Sequence, residues 1–155
     1  MRIVSSSVFL AAIVLASAST VVIAQGGAKP APVTVEQHAA TMKMIAQNAG
    51  AAAKALKGGD AAAATPAAEA LVTAFTTIET FYTQRNKPDA IKLAQTAKAG
   101  AQEAVAALKA GDTMKAQMAI GNAQATCKQC HGMYREQDEA TKAYRFNAAS
   151  GITPP

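Results

Sequence analysis

The reactive side chains of this sequence are concentrated at one place. Cys127 and Cys130 are its only cysteines, and His131, one of only two histidines, directly follows the second, within ATCKQCHGMYREQ (125–137). Two thiols three positions apart with an adjoining imidazole form the attachment pattern for c-type haem. Thioether bonds from Cys127 and Cys130 can capture the two vinyl groups on one edge of the macrocycle, which places His131 on the iron as proximal ligand. The alternatives give these residues less to do. A thioredoxin-like dithiol needs a βαβ context that the sequence lacks, and a zinc site needs a fourth ligand beside these three. A plain disulfide leaves His131 without a role. One covalently attached haem c is therefore the expected cofactor.

The N-terminal segment fits that chemistry. Arg2 precedes an apolar stretch from VFLAAIVLASAS into TVVIA, which reads as a secretory signal peptide over 1–24. Cleavage after Ala24 is preferred, with Ala18 as a second point; Ser5 to Ser7 and Ser17 to Thr20 leave the apolar core short for a membrane span. The expected location is the periplasm, with a mature form that does not span the membrane. The remaining chain suffices for one domain with a single core. Of the net charge of +5, Arg2 carries one. The other basic residues are singletons such as Lys54, Lys92 and Lys109 on solvated helix faces, and no block of them is suited to nucleic acid.

Positioning these groups falls to helices. After a linker over 25–33 with Gly26, Gly27, Pro30 and Pro32, an alanine-rich chain is interrupted by KGGDAAAA (57–64), RNKPDAIK (85–92) and KAGDTMKA (109–116). Glycine suits the left-handed position past a helix end, and Lys57 and Lys109 suit the negative pole of the dipole. Asp60 or Thr65, Asp89 and Asp112 can cap the helices that follow, and Pro66 or Pro88 fits near a first turn. Helices are expected at roughly 34–57, 65–85, 89–109 and 113–142, with an irregular tail over 146–155. The fold class is all-α, an up-down antiparallel four-helix bundle holding a covalent haem over 34–145.

The apolar seams agree with this arrangement. Val35, Met42, Ala49 and Leu56 recur every seven residues on the first helix, with His38, Ile45 and Ala52 between them. Leu71, Phe75, Ile78 and Tyr82 line the second helix; Ala94, Ala97, Ala101, Val105 and Leu108 line the third. Buried alanine removes little apolar area from water, so the core is expected to be completed by the haem. Met114 and Met118 are expected to pack, as is Tyr134.

A helical bundle with CKQCHGMYR near its C-terminus resembles the class II cytochromes c, the cytochrome c′-like family, over nearly all of the chain after the signal peptide. The resemblance implies that Arg135 packs beside the proximal histidine, where it can shield the haem edge or pair with a propionate. It also implies a division by the residue that the first helix offers the iron. Members offering methionine are six-coordinate, low-spin electron carriers, whereas those offering an apolar side chain are five-coordinate and bind gases such as nitric oxide or carbon monoxide. In HAATMK (38–43) the position falls on Met42, so the low-spin branch is implied, while His38 stands where arginine is more usual and is itself able to bind iron.

Helix geometry ranks these residues. At about 100° per residue Met44 points roughly 200° from Met42, off the seam. His38 lies about 40° round and about 6 Å along from Met42, so both share a face but cannot both sit over one iron. With Met42 on the metal, His38 falls at the haem rim within reach of a propionate. The expected function is single-electron transfer with redox partner proteins, with His131 and Met42 as axial ligands. The alternative is a gas-binding protein with an open distal face. No distal arrangement argues for an enzyme. Family members are often homodimers through the first two helices, so the resemblance allows a homodimer.

Overall fold

The interruptions in the alanine-rich sequence are tight turns, and four helices run between them: α1 (Val35–Lys57), α2 (Ala61–Thr83), α3 (Pro88–Lys109) and α4 (Thr113–Tyr134). The computed structural model describes residues 31–153. The expected signal peptide, its cleavage points, Gly26, Gly27 and Pro30 of the linker, and Pro154 and Pro155 lie outside the described residues. Successive helices pack along one another through short loops, which makes neighbours antiparallel. The chain is an all-α bundle.

Local chemistry explains the ends. Thr34 and Gln37 form a reciprocal capping box on α1, satisfying two otherwise free amides. Asp60 accepts from the Ala63 amide and Asp112 from the Lys115 amide, capping α2 and α4. Because Asp60 is the cap, α2 begins at Ala61 rather than at 65, and Pro66 sits inside the helix. Pro88 occupies the first turn of α3 as expected, but Asp89 does not cap it; Lys87 holds that position without a side-chain bond. Gly59 and Gly111 take positive φ angles of 74° and 77°, a conformation that glycine adopts without Cβ strain.

The C-terminal region departs from expectation. α4 ends at Tyr134 rather than at 142, and Arg135–Gln137 (β1) pairs antiparallel with Tyr144–Phe146 (β2). Between them Asp138 accepts from the amides of Ala140 and Thr141 and from the Thr141 hydroxyl, while Lys142 takes a positive φ of 58°. Those bonds reverse the chain. The reversal brings the Phe146 ring back to stack on Phe81 at 5.8 Å, burial that a continued helix would forgo. Nor is the tail wholly irregular: Ala148–Ser150 forms a short 3-10 helix, and Ser150 and Ile152 are buried.

The core is uneven. α2 contributes its bulk through Leu71, Phe75, Ile78, Phe81 and Tyr82, all buried, whereas α3 buries mainly alanines. α2 is also long and apolar enough to cross a membrane, but its large residues form the buried core. The start of α1 is tied to the end of α2, since Gln84 accepts from the Val33 amide and donates to the Ala31 carbonyl, and Arg85 donates to the Val33 carbonyl. α1 lies along α2, α2 along α3 and α3 along α4, yet α1 and α4 touch only sparsely.

Candidate functional site

The sparse contact between α1 and α4 is a cleft of about 460 Å³. Val35, His38, Ala39, Met42, Lys43 and Ala46 form its α1 wall; Cys130, His131 and Tyr134 come from α4, and Tyr82 from α2. Arg135, Tyr144, Arg145 and Phe146 of the ribbon close one side. A void of about 20 Å³ adjoins it around Met42, Cys130 and His131, and there Cys127 joins the lining with Phe75, Ile78 and Leu93. The two cysteines, both histidines, Met42 and Arg135 thus meet around one space, although 85 or more positions separate His38 and Met42 from the cysteines in the sequence.

Helix periodicity places them. Met42 is half-buried on the seam face, while Met44 is 47% exposed on the other side. Cys127, Cys130, His131 and Tyr134 fall on successive turns of α4, with three- and four-residue spacings that share one face. Tyr134 is buried and packs edge-on against Tyr82 with ring centres 5.3 Å apart, and its hydroxyl donates to Asp89. That packing role agrees with the sequence reading. Met114 and Met118 do not pack: they are 74% and 58% exposed on the outside of α4.

The thiols are poorly suited to thiolate chemistry. Burial, with Cys130 nearby, pushes the Cys127 pKa up to about 11, and burial also raises that of Cys130. Reactive cysteines have depressed values. Both are free thiols, and the Cys130 sulfur lies 4.0 Å from the Tyr82 hydroxyl oxygen. Among the described residues no three His, Cys, Asp or Glu side chains converge as a metal-binding group.

The two imidazoles sit differently. His38 is only 7% exposed and packs against the tilted rings of Phe81 at 4.2 Å and Phe146 at 5.0 Å, with Tyr82 edge-on at 5.6 Å. Burial, reinforced by the positive charge of Arg85, lowers its pKa to about 4, so it is neutral through the physiological range. His131 is half-buried, and burial followed by the Arg135 charge lowers its pKa too. Two nitrogens in the site, His38 Nε2 and Arg135 Nε, are buried without a hydrogen-bond partner among the described residues. Leaving a buried polar group unpaired is costly, so both mark places where an acceptor or donor in the cleft would be held.

Tyr82, Phe81, Lys43, Tyr144, Arg145 and Phe146 belong to or border the site without having been singled out for it from sequence. The alternation in Tyr144-Arg145-Phe146 is a period-two signal, but three residues are too few to distinguish it from a helix end. No family model, curated protein or solved structure matches the chain.

Proposed function

We propose that this chain is a c-type cytochrome of the class II kind, carrying single electrons outside the cytoplasm. The observation that carries the reading is the cleft itself. It separates the two helices that a closed bundle would bring together, and it gathers the attachment motif on one wall and Met42 on the other.

The residues fit a haem in three respects. The donor set is suitable: two thiols for thioether bonds, an imidazole, and a soft thioether opposite, the combination that holds haem iron in electron-transfer cytochromes. The walls are apolar where a macrocycle would lie, through Val35, Ala39, Met42, Ala46 and Phe146. Two cationic side chains, Arg135 and Lys43, belong to the lining, and Arg135 Nε is unpaired among the described residues, which suits propionates. When bound, the haem supplies a reversible one-electron couple at its iron.

The chain's own groups do the rest. Cys127 and Cys130 would hold the group irrespective of the fold, and His131 and Met42 would provide axial ligands. Phe81, Tyr82 and Phe146 exclude water, and a ligand set that is the same in both oxidation states keeps reorganisation small. The signal-peptide reading of residues 1–24 supports a periplasmic site of action, where redox proteins would be the partners.

An optical spectrum of the purified mature protein tests this. Haem should resist acid and organic-solvent extraction, because two thioethers retain it. The oxidised form should be low-spin with the weak far-red sulfur-to-iron band, and the reduced form should bind carbon monoxide slowly or not at all. Met42→Ala should open the site to the gas and shift the iron toward high spin, while Met44→Ala changes little. His38→Ala should abolish the low-spin state only if His38 is the ligand. Freely extractable haem would refute the attachment, and a high-spin spectrum with rapid gas binding would replace electron transfer with gas binding.

A further inference from the structure

The ribbon that replaces the last turns of α4 brings Tyr144 onto the cleft. In its register Arg135 pairs with Phe146 and Gln137 with Tyr144, so Arg135, Tyr144 and Phe146 share one face and Arg145 takes the other. On that other face Arg145, which still borders the cleft, is bound to Glu136 at 2.8 Å and to Asp138 at 3.1 Å. On the inner face the Arg135 guanidinium lies over the Tyr144 ring, 3.3 Å from its centre. The same guanidinium approaches His131, with one terminal nitrogen 3.3 Å from Nδ1 and 3.4 Å from Nε2.

Near-equal distances to both ring nitrogens define the approach. An in-plane approach equidistant from the two would run into the carbon between them, so the guanidinium lies over the face of the imidazole. Both in-plane nitrogen positions stay available for bonding. Arg135 is thus held between two rings, and the outer one, Tyr144, is 60% exposed. So exposed a ring adds little to the core; its contact is with the cation, an arrangement in which an arginine is attracted to the ring's negative face.

We infer that Tyr144 is a positioning residue, which clamps Arg135 against the face of His131 and thereby sets the electrostatic environment of the proximal ligand. The inference rests on the cytochrome reading. A fixed positive charge next to the ligand favours the reduced, less positive state of the centre. Releasing it lowers the reduction potential. A phenyl ring suffices for the clamp because the attraction is to the ring face rather than to the hydroxyl.

The test uses the mature, full-length, haem-loaded protein and two readouts. Tyr144→Leu and Arg135→Gln should each lower the reduction potential, the double variant should fall no further than the larger single shift, and Tyr144→Phe should restore the parent value. In the reduced protein, the Arg135 Nε–H proton should show a ring-current shift that Tyr144→Phe keeps and Tyr144→Leu loses. If Tyr144→Leu leaves the potential unchanged while Arg135→Gln lowers it, or if the two shifts add, the inference is overturned. If no haem is retained, the function proposed above fails; the ring-current signal, which needs no haem, then decides the clamp on its own, and its persistence in Tyr144→Leu overturns it.

Discussion

α4 meets the rest of the bundle on two sides, and the two are built differently. Towards α3 it presents Ala116, Ala119 and Ala123 to Ala97, Gly100, Ala101 and Ala104, all but Gly100 buried. The backbones come so close that a Cβ on Gly100 would lie 3.2 Å from the Ala119 carbonyl oxygen and 3.3 Å from the Ala123 Cβ. Towards α1 it presents Cys130, His131 and Tyr134, and there the cleft opens. Small residues do not leave room: they let helices close up, at the separation their side chains set. Space is left where larger, partly polar side chains hold two helices apart. The bulk missing from the α3 sequence is thus not missing along its seam with α4, and the larger open space lies against α1.

The sharpest way to break this comparison is to remove the two thiols proposed as attachment points. Cys127→Ala/Cys130→Ala should leave α1 with little to pack on except α2, while the α3–α4 seam is unaffected by design. We expect loss of cooperative melting and of near-ultraviolet circular dichroism, with helical signal retained, as in a molten state. Hydrogen exchange should lose protection first in α1 and last in α3. A variant that melts cooperatively at the parent temperature would mean that α1 is secured without anything in the cleft.

His38 sharpens the comparison from the cleft side through pH. The folded protein keeps it neutral down to about 4, whereas an unfolded chain takes up the proton near the ordinary value of about 6.5. Between those values the unfolded state binds more protons, so this contribution is fully present above about pH 6.5 and is lost as pH falls towards 4. The slope approaches about 1.4 kcal/mol per pH unit inside the window. Denaturant midpoints at pH 7 and 4.5 should therefore diverge in the parent and converge in His38→Phe, which keeps the aromatic stack without the proton. Equal divergence in both proteins would assign the acid sensitivity to other groups.

On the closed seam, Ala101→Leu should cost about 1–3 kcal/mol, the usual penalty for overpacking, because Ala101 is fully buried between close backbones. Gly100→Ala should be destabilising as well, despite alanine's better helix propensity, since the obstructing Ala119 oxygen is backbone and cannot swing away. Urea unfolding measures both. Met42→Leu, a volume-conserving change in the cleft wall, should cost less than about 1.5 kcal/mol while removing the sulfur-to-iron band. Similar costs at Ala101 and Met42 would erase the distinction between the seams.

The sequence carried the bundle because its punctuation is local. Gly59 and Gly111 require a left-handed backbone, Asp60 and Asp112 cap, and Pro88 opens α3, each legible within a few residues. The heptad of α1 likewise placed Met42 and His38 on one face and Met44 on the other. What was hidden depends on distant contacts. Asp138 and Thr141 supply a local reversal that is hard to tell from a helical stretch by spacing alone, and what it gains is the contact of Phe146 with Phe81 and His38, 65 and 108 positions away. Cleft residues such as Tyr144 and Arg145 were hidden for the same reason. Local spacing brought out Cys127, Cys130 and His131, but the room beside them depends on how sparsely α1 and α4, two helices that are not consecutive in the chain, touch.

The smallest effect is expected on α4's outer face. Met114 and Met118 lie one turn apart, and apolar spacing alone would assign them to packing, yet they are 74% and 58% exposed; they lie outside the cleft and only border, with Glu103 and Ala119, an open groove at the edge of the α3 seam. Their side chains gain little burial on folding, so Met118→Gln should change stability by no more than about 0.5 kcal/mol, the usual range for surface substitutions. The same variant should leave the optical spectrum untouched, because it reaches neither Met42 nor His131. Urea midpoints and spectra of the mature protein, taken over a range of protein concentrations, provide the check. A loss above about 1 kcal/mol that grows with protein concentration would mean this face is covered in solution by a second copy, and the contrast would then involve three faces of α4 instead of two.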